Sequence, residues 1–82
     1  MRILLSPVAQ KDLAGLDKQI AKRVVDKLEE YAKEPDPMEF AKRLHEDPEG
    51  THRFRIGEWR AKCIVEKDIV ITRVRHRSEA YR

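Results

Sequence analysis

Apolar residues recur at helical spacing in the first half of the chain and at strand spacing in the second. "RILLS", Arg2 to Ser6, reads as a short first strand, and Ser6-Pro7 then supplies an N-cap followed by proline at the first helical position. Ala9, Leu13 and Leu16 fall at i, i+4 and i+7. After a break near Gly15–Asp17, the set Ile20, Val24, Leu28 and Tyr31 or Ala32 repeats the period. This predicts a helix of about two or three turns leading into one of about four, folded as an antiparallel hairpin. "EPDPMEF", Glu34 to Phe40, carries two prolines and ends the second helix. "AKRLHEDPEG" follows, with one apolar anchor at Leu44 and then a polar turn.

From His52 onward the period changes to two. Phe54 and Ile56 alternate with Arg53 and Arg55, and Trp59, Ala61, Cys63 and Val65 alternate with Arg60, Lys62, Ile64 and Glu66. Gly57-Glu58 suits a type II′ turn with glycine first, and Lys67-Asp68 is placed to close a second hairpin before "IVITRVRHR". The predicted fold is α+β. An N-terminal strand and a helical hairpin precede an antiparallel three-stranded meander, the helices packed on one face of the sheet, as a single domain over residues 1–82.

Two turns fix a register, and the register sorts the charges. With Gly57-Glu58 as the first turn, Ile56 faces Trp59, Arg55 faces Arg60, Phe54 faces Ala61 and Arg53 faces Lys62. With Lys67-Asp68 as the second, Arg60 faces Arg75, Lys62 faces Arg73, Cys63 faces Thr72 and Val65 faces Val70. One face then holds Phe54, Ile56, Trp59, Ala61, Cys63, Val65, Val70 and Val74 and belongs under the helices. The other holds two cationic rungs, Arg55–Arg60–Arg75 and Arg53–Lys62–Arg73. Like charges directly opposite one another are destabilising, by roughly the 0.2–1 kcal/mol that favourable pairs contribute. Six aligned cations therefore point to an anionic partner, whereas isolated surface arginines merely lay their stems over the sheet.

Composition narrows the classes that remain. The chain has 82 residues, 40% hydrophobic and 40% charged, enough for one modest core. No apolar run approaches the roughly 18 residues of a membrane span, and "ILL" is too brief for a signal-peptide core, so a cytoplasmic protein without membrane contact is expected. Cys63 is the single cysteine, which excludes an internal disulfide and a multi-cysteine metal site. The formal net charge of +3 is unevenly spread: residues 1–51 hold 9 Lys/Arg against 11 Asp/Glu, and residues 52–82 hold 9 against 4. The basic half contains both rungs, as expected for a protein that meets a polyanion.

Arginine's planar fork grips phosphate oxygens bidentately. Cations aimed at a phosphorane stabilise the charge that develops when RNA is cleaved by its own 2′-hydroxyl, without metal or cofactor. His76 is a candidate for proton transfer, the usual role of an imidazole in a site, although its parity places it on the Trp59 side, where a packed imidazole is the plainer expectation. Tyr81 stands to contact substrate or to seal the sheet edge. Trp59 and Cys63 share the parity of Ile56 and belong to the core, and His45 and His52 read as structural or solvent-facing.

Over nearly its whole length the chain resembles the RelE branch of the RelE/ParE toxin superfamily. "RFRIGEWR" is similar to that family's basic hairpin, with its Gly-acidic-aromatic-Arg turn, and "HRSEAY" to its C-terminal ending. The resemblance implies a ribosome-dependent, metal-independent endoribonuclease that cleaves mRNA in the A site and is neutralised by a cognate antitoxin. It implies that Arg60 and Arg75 stabilise the scissile phosphate. Arg53 and Arg55 match basic positions that bind RNA and assist proton transfer, and Tyr81 matches a tyrosine that positions the substrate. His76 stands where some members place a histidine, and Lys62, Arg73 and Arg77 complete the expected RNA-binding set. No carboxylate stands at an obvious general-base position. Two other functions fit the same fold: a ParE-like inhibitor of DNA gyrase, and a catalytically silent module that binds RNA or an antitoxin.

Overall fold

A computed structural model describes residues 1–80, so Tyr81, expected above to contact substrate, lies outside the described residues. β1 (Ile3–Leu5) is followed by α1 (Pro7–Ala14), α2 (Lys18–Ala32), a 3-10 turn (Pro37–Phe40), β2 (Ala41–Arg43), β3 (His52–Ile56), β4 (Trp59–Val65), β5 (Ile69–His76) and the one-turn α3 (Arg77–Ala80). α1 and α2 each start where a short polar side chain can take an orphan N–H. The Ser6 hydroxyl accepts from the Ala9 N–H, with Pro7 following, and the Asp17 carboxylate accepts from the Gln19 N–H. The helical period then buries Ala9 and Leu13 from α1 and Val24, Leu28 and Ala32 from α2. Among the described residues, no helix is long and apolar enough to cross a membrane.

The sheet is larger than the expected meander. Its order is β1-β5-β4-β3-β2, with β1 parallel to β5 and the remaining neighbours antiparallel, so the three-stranded antiparallel sheet becomes a five-stranded mixed one. The predicted first strand joins it through Ile3↔Ile69, Leu4↔Val70 and Leu5↔Ile71. β2 lies just before the Leu44 anchor, where no strand is expected from the sequence. Its three residues are too few to display a period of two, and they follow a tight turn in which Asp36 accepts from the Met38 N–H.

Around Gly57-Glu58 the register is the expected one, from Ile56↔Trp59 through Arg55↔Arg60 and Arg53↔Lys62 to His52↔Cys63. Gly57 has φ 59° while the following Glu58 does not have a positive φ, as a type II′ turn requires. Across β4 and β5 the pairs Arg60↔Arg75 and Lys62↔Arg73 also hold, but the register then shifts. Cys63 faces Ile71, Ile64 faces Val70 and Val65 faces Ile69, leaving Thr72 as the bulged residue and residues 66–68 as the turn. This corrects the pairs expected for Cys63 and Val65. It also replaces Val70 in the core: Ile69 and Ile71 are fully buried beneath the helices, and Val70 is half-buried on the other face. Phe54, Leu28, Ile69, Ile71, Val24 and Cys63 are the largest fully buried side chains. Tyr31 stacks on Phe54 at 5.5 Å and on Phe40 at 4.8 Å, extending this core toward β2.

Candidate anion-binding site

Both cationic rungs form, and one is wider than expected. Arg55, Arg60 and Arg75 align across β3, β4 and β5, and Arg53, Lys62 and Arg73 align beside them. β2 adds Lys42 opposite Arg53, so the second rung spans four strands. Lys42 escaped sequence reasoning because β2 did.

The destabilisation expected of these like-charge pairs is relieved by acids from distant parts of the chain. Arg75 grips Glu49 with two hydrogen bonds, Nη1 to Oε1 at 2.7 Å and Nη2 to Oε2 at 2.9 Å. Lys62 Nζ lies 3.1 Å from the same Oε1 and 2.8 Å from Asp47 Oδ2, and Arg73 Nη1 lies 3.3 Å from Glu49 Oε2. Arg73 also holds Asp12 of α1 in a fork, Nε to Oδ2 at 2.9 Å and Nη2 to Oδ1 at 3.2 Å. Asp12 accepts in addition from the Val74 N–H at 2.9 Å, so it serves β5 beyond the point where β1 ends. Burial pushes the Glu49 carboxyl upward, but hydrogen bonds from Arg75 and Lys62 outweigh it and hold the group below its usual range. Asp47 is held low first by its hydrogen bond from Lys62 and then by the Glu49 N–H.

The loop 44–51 sets Glu49 in place. Its ends meet through the Leu44 N–H and Thr51 O at 2.8 Å, and the Thr72 hydroxyl donates to Glu49 O. Gly50 lies against β4 so closely that a Cβ there would stand 2.9 Å from Cys63 O. A bulge on β5 and a glycine on the loop thus position one carboxylate among three cations.

Other predicted residues are arranged differently. Arg60 is 3% exposed and its Nη1 donates to Gly57 O and Trp59 O, both at 2.9 Å, so this guanidinium braces the turn. Arg53 is half-buried within its rung. Arg55 is exposed and, among the described residues, has no ion-pair partner. His76 pairs with Trp59 edge-to-face at 5.2 Å, and its Nδ1 is 2.9 Å from the Ser78 hydroxyl. The imidazole therefore lies on the opposite face of β5 from Arg75. Arg77 sits beyond the rungs, its Nε 3.1 Å from Glu58 Oε2 in the β3–β4 turn. Cys63 is fully buried, and burial pushes its thiol up to about 12. Sequence reasoning missed Asp12, Asp47 and Glu49. They lie in two stretches, α1 and the loop 44–51, that turn toward the rungs only when the chain folds.

Residues 3–81 match the sequence profile described as ParE toxin of the type II toxin–antitoxin system. The chain belongs to the ParE toxin family. Its fold agrees: the crystal structure of the toxin–antitoxin complex RelBE2 from Mycobacterium tuberculosis matches with TM-score 0.74 and 26% identity over 92% of this chain and 95% of that one. No curated relative matches. Membership in the RelE/ParE superfamily gives this toxin its strand and helix order, on which the two cationic rungs are mounted.

Proposed function

We propose that this toxin is a ribosome-dependent endoribonuclease of the RelE type that cleaves mRNA without metal, and that a cognate antitoxin binds it. The alignment of Arg55, Arg60 and Arg75 with Arg53, Lys62 and Arg73 across three strands carries this reading. A rigid sheet carrying that row fits a phosphodiester backbone, with Arg55 exposed at one end and, at the other, Arg75, whose bidentate fork already holds one anion, Glu49. In the proposed reaction the 2′-hydroxyl of the preceding nucleotide attacks the phosphorus. The bond to the leaving 5′-oxygen breaks, giving a cyclic phosphate and a 5′-hydroxyl end, and the cations stabilise the charge on the phosphorane oxygens. Support for an antitoxin partner comes also from the RelBE2 crystal structure, which is that of a toxin–antitoxin complex.

Mapping mRNA 5′ ends in a translating extract tests the proposal. Cleavage in the A-site codon is expected, with a loss of at least about a hundredfold in Arg75→Ala, by analogy with deletion of an oxyanion donor. Intact mRNA in the presence of folded protein would sink it. The buried Arg60, tied to turn carbonyls, favours a second reading, inhibition of DNA gyrase, in which no guanidinium need reach a scissile phosphate. A supercoiling assay separates the two.

A further inference from the structure

We infer that Glu49 is a resident anion in the phosphate site and that the loop 44–51 is an internal competitor for substrate, so that RNA binds by displacing Glu49 from Lys62, Arg73 and Arg75. This rests on the reading of the cationic face as a phosphate site and names how that site is controlled. A carboxylate held by a bidentate arginine fork, a lysine and a second arginine reproduces the contacts that a phosphodiester makes with two of its oxygens. The carboxylate is delivered rather than built in: its own backbone carbonyl accepts from the Thr72 hydroxyl, and the Asp47 carboxylate receives the Glu49 N–H. None of these contacts belongs to the core under the helices, and the loop's ends stay anchored by the Leu44 N–H to Thr51 O and the Thr51 N–H to Cys63 O, so the tip that carries Glu49 can lift while the sheet stays intact. In a two-state site of this kind, the apparent affinity for an external anion is the intrinsic affinity multiplied by the fraction of molecules with the loop lifted.

Two variants separate this device from a structural brace. Glu49→Gln keeps the shape and removes the charge; Thr72→Val removes the hydroxyl that holds the loop and leaves every charge in place. Glu66→Gln, in the exposed β4–β5 turn, controls for a general loss of negative charge. Binding is read by anisotropy of a short labelled single-stranded RNA and by titration with inorganic phosphate, with folding checked by circular dichroism. Glu49→Gln should bind both ligands about tenfold more tightly and Thr72→Val should follow by a smaller factor, as the lifted fraction rises. Glu66→Gln should leave phosphate affinity unchanged. Equal or weaker binding by Glu49→Gln, or equal tightening by Glu66→Gln, overturns the inference. Should Glu49→Gln lose its fold, Thr72→Val decides alone, and unchanged affinity there overturns it. Tighter phosphate binding without RNA binding in any variant keeps the competing loop and removes RNA as the substrate. RNA bound equally by native protein and Glu49→Gln keeps RNA and removes the loop.

Discussion

A carboxylate held below its usual range is a stability device with a defined pH window. Glu49 and Asp47 are both depressed in the folded chain. Their contribution is therefore present above the unfolded carboxyl values of about 4 and is lost as pH falls through the lower folded values. Chemical denaturation as a function of pH should show stability falling on acidification below about pH 4, and the Asp47→Asn/Glu49→Gln double variant should show a shallower fall. The Cys63 thiol, raised to about 12, stays protonated at neutral pH. It should resist alkylation in the native protein and react at the ordinary rate once denaturant exposes it. Arg55, Arg60 and Arg75 were legible as one rung because a tight turn and a period of two fix which side chains meet. Glu49, Asp47 and Asp12 were not, since nothing local ties a carboxylate in a loop or on α1 to a strand that follows much later.

The same contrast runs through the elements. α1 and α2 were legible from caps and period together, and Ser6→Ala should cost about 1 kcal/mol by removing the acceptor of the Ala9 N–H, measurable by urea denaturation. β5 was legible only as far as Arg73. The bulge at Thr72 breaks the parity that sequence reasoning extends through Val70, and the energy that favours it is tertiary: it brings Ile69 and Ile71, both fully buried, under the helices. Asp12 shows how a helix can complete a sheet. Where β1 stops, the Val74 N–H finds this carboxylate in place of a strand, and Asp12→Ala leaves that donor and Arg73 without it. A loss of roughly 1–3 kcal/mol is expected in thermal or urea denaturation.

At the scale of the molecule, helices and sheet meet in one core that holds Phe54 at its base, stacked on Tyr31. Phe54→Ala should cost about 3–5 kcal/mol, enough to unfold much of a small domain at physiological temperature and visible as a lost unfolding transition. α+β order and helix placement were legible in the sequence; the extent of the sheet was not, because β1 reaches β5 across nearly the whole chain. That pairing has a consequence for the newly made protein. β5 joins β1 to the other strands and carries Arg73 and Arg75, so a nascent chain cannot complete either rung before its last strand leaves the ribosome. Interrupted synthesis therefore yields fragments that lack Arg73 and Arg75 and in which nothing joins β1 to β4, so the order of synthesis leaves the assembly of the charged face to the end.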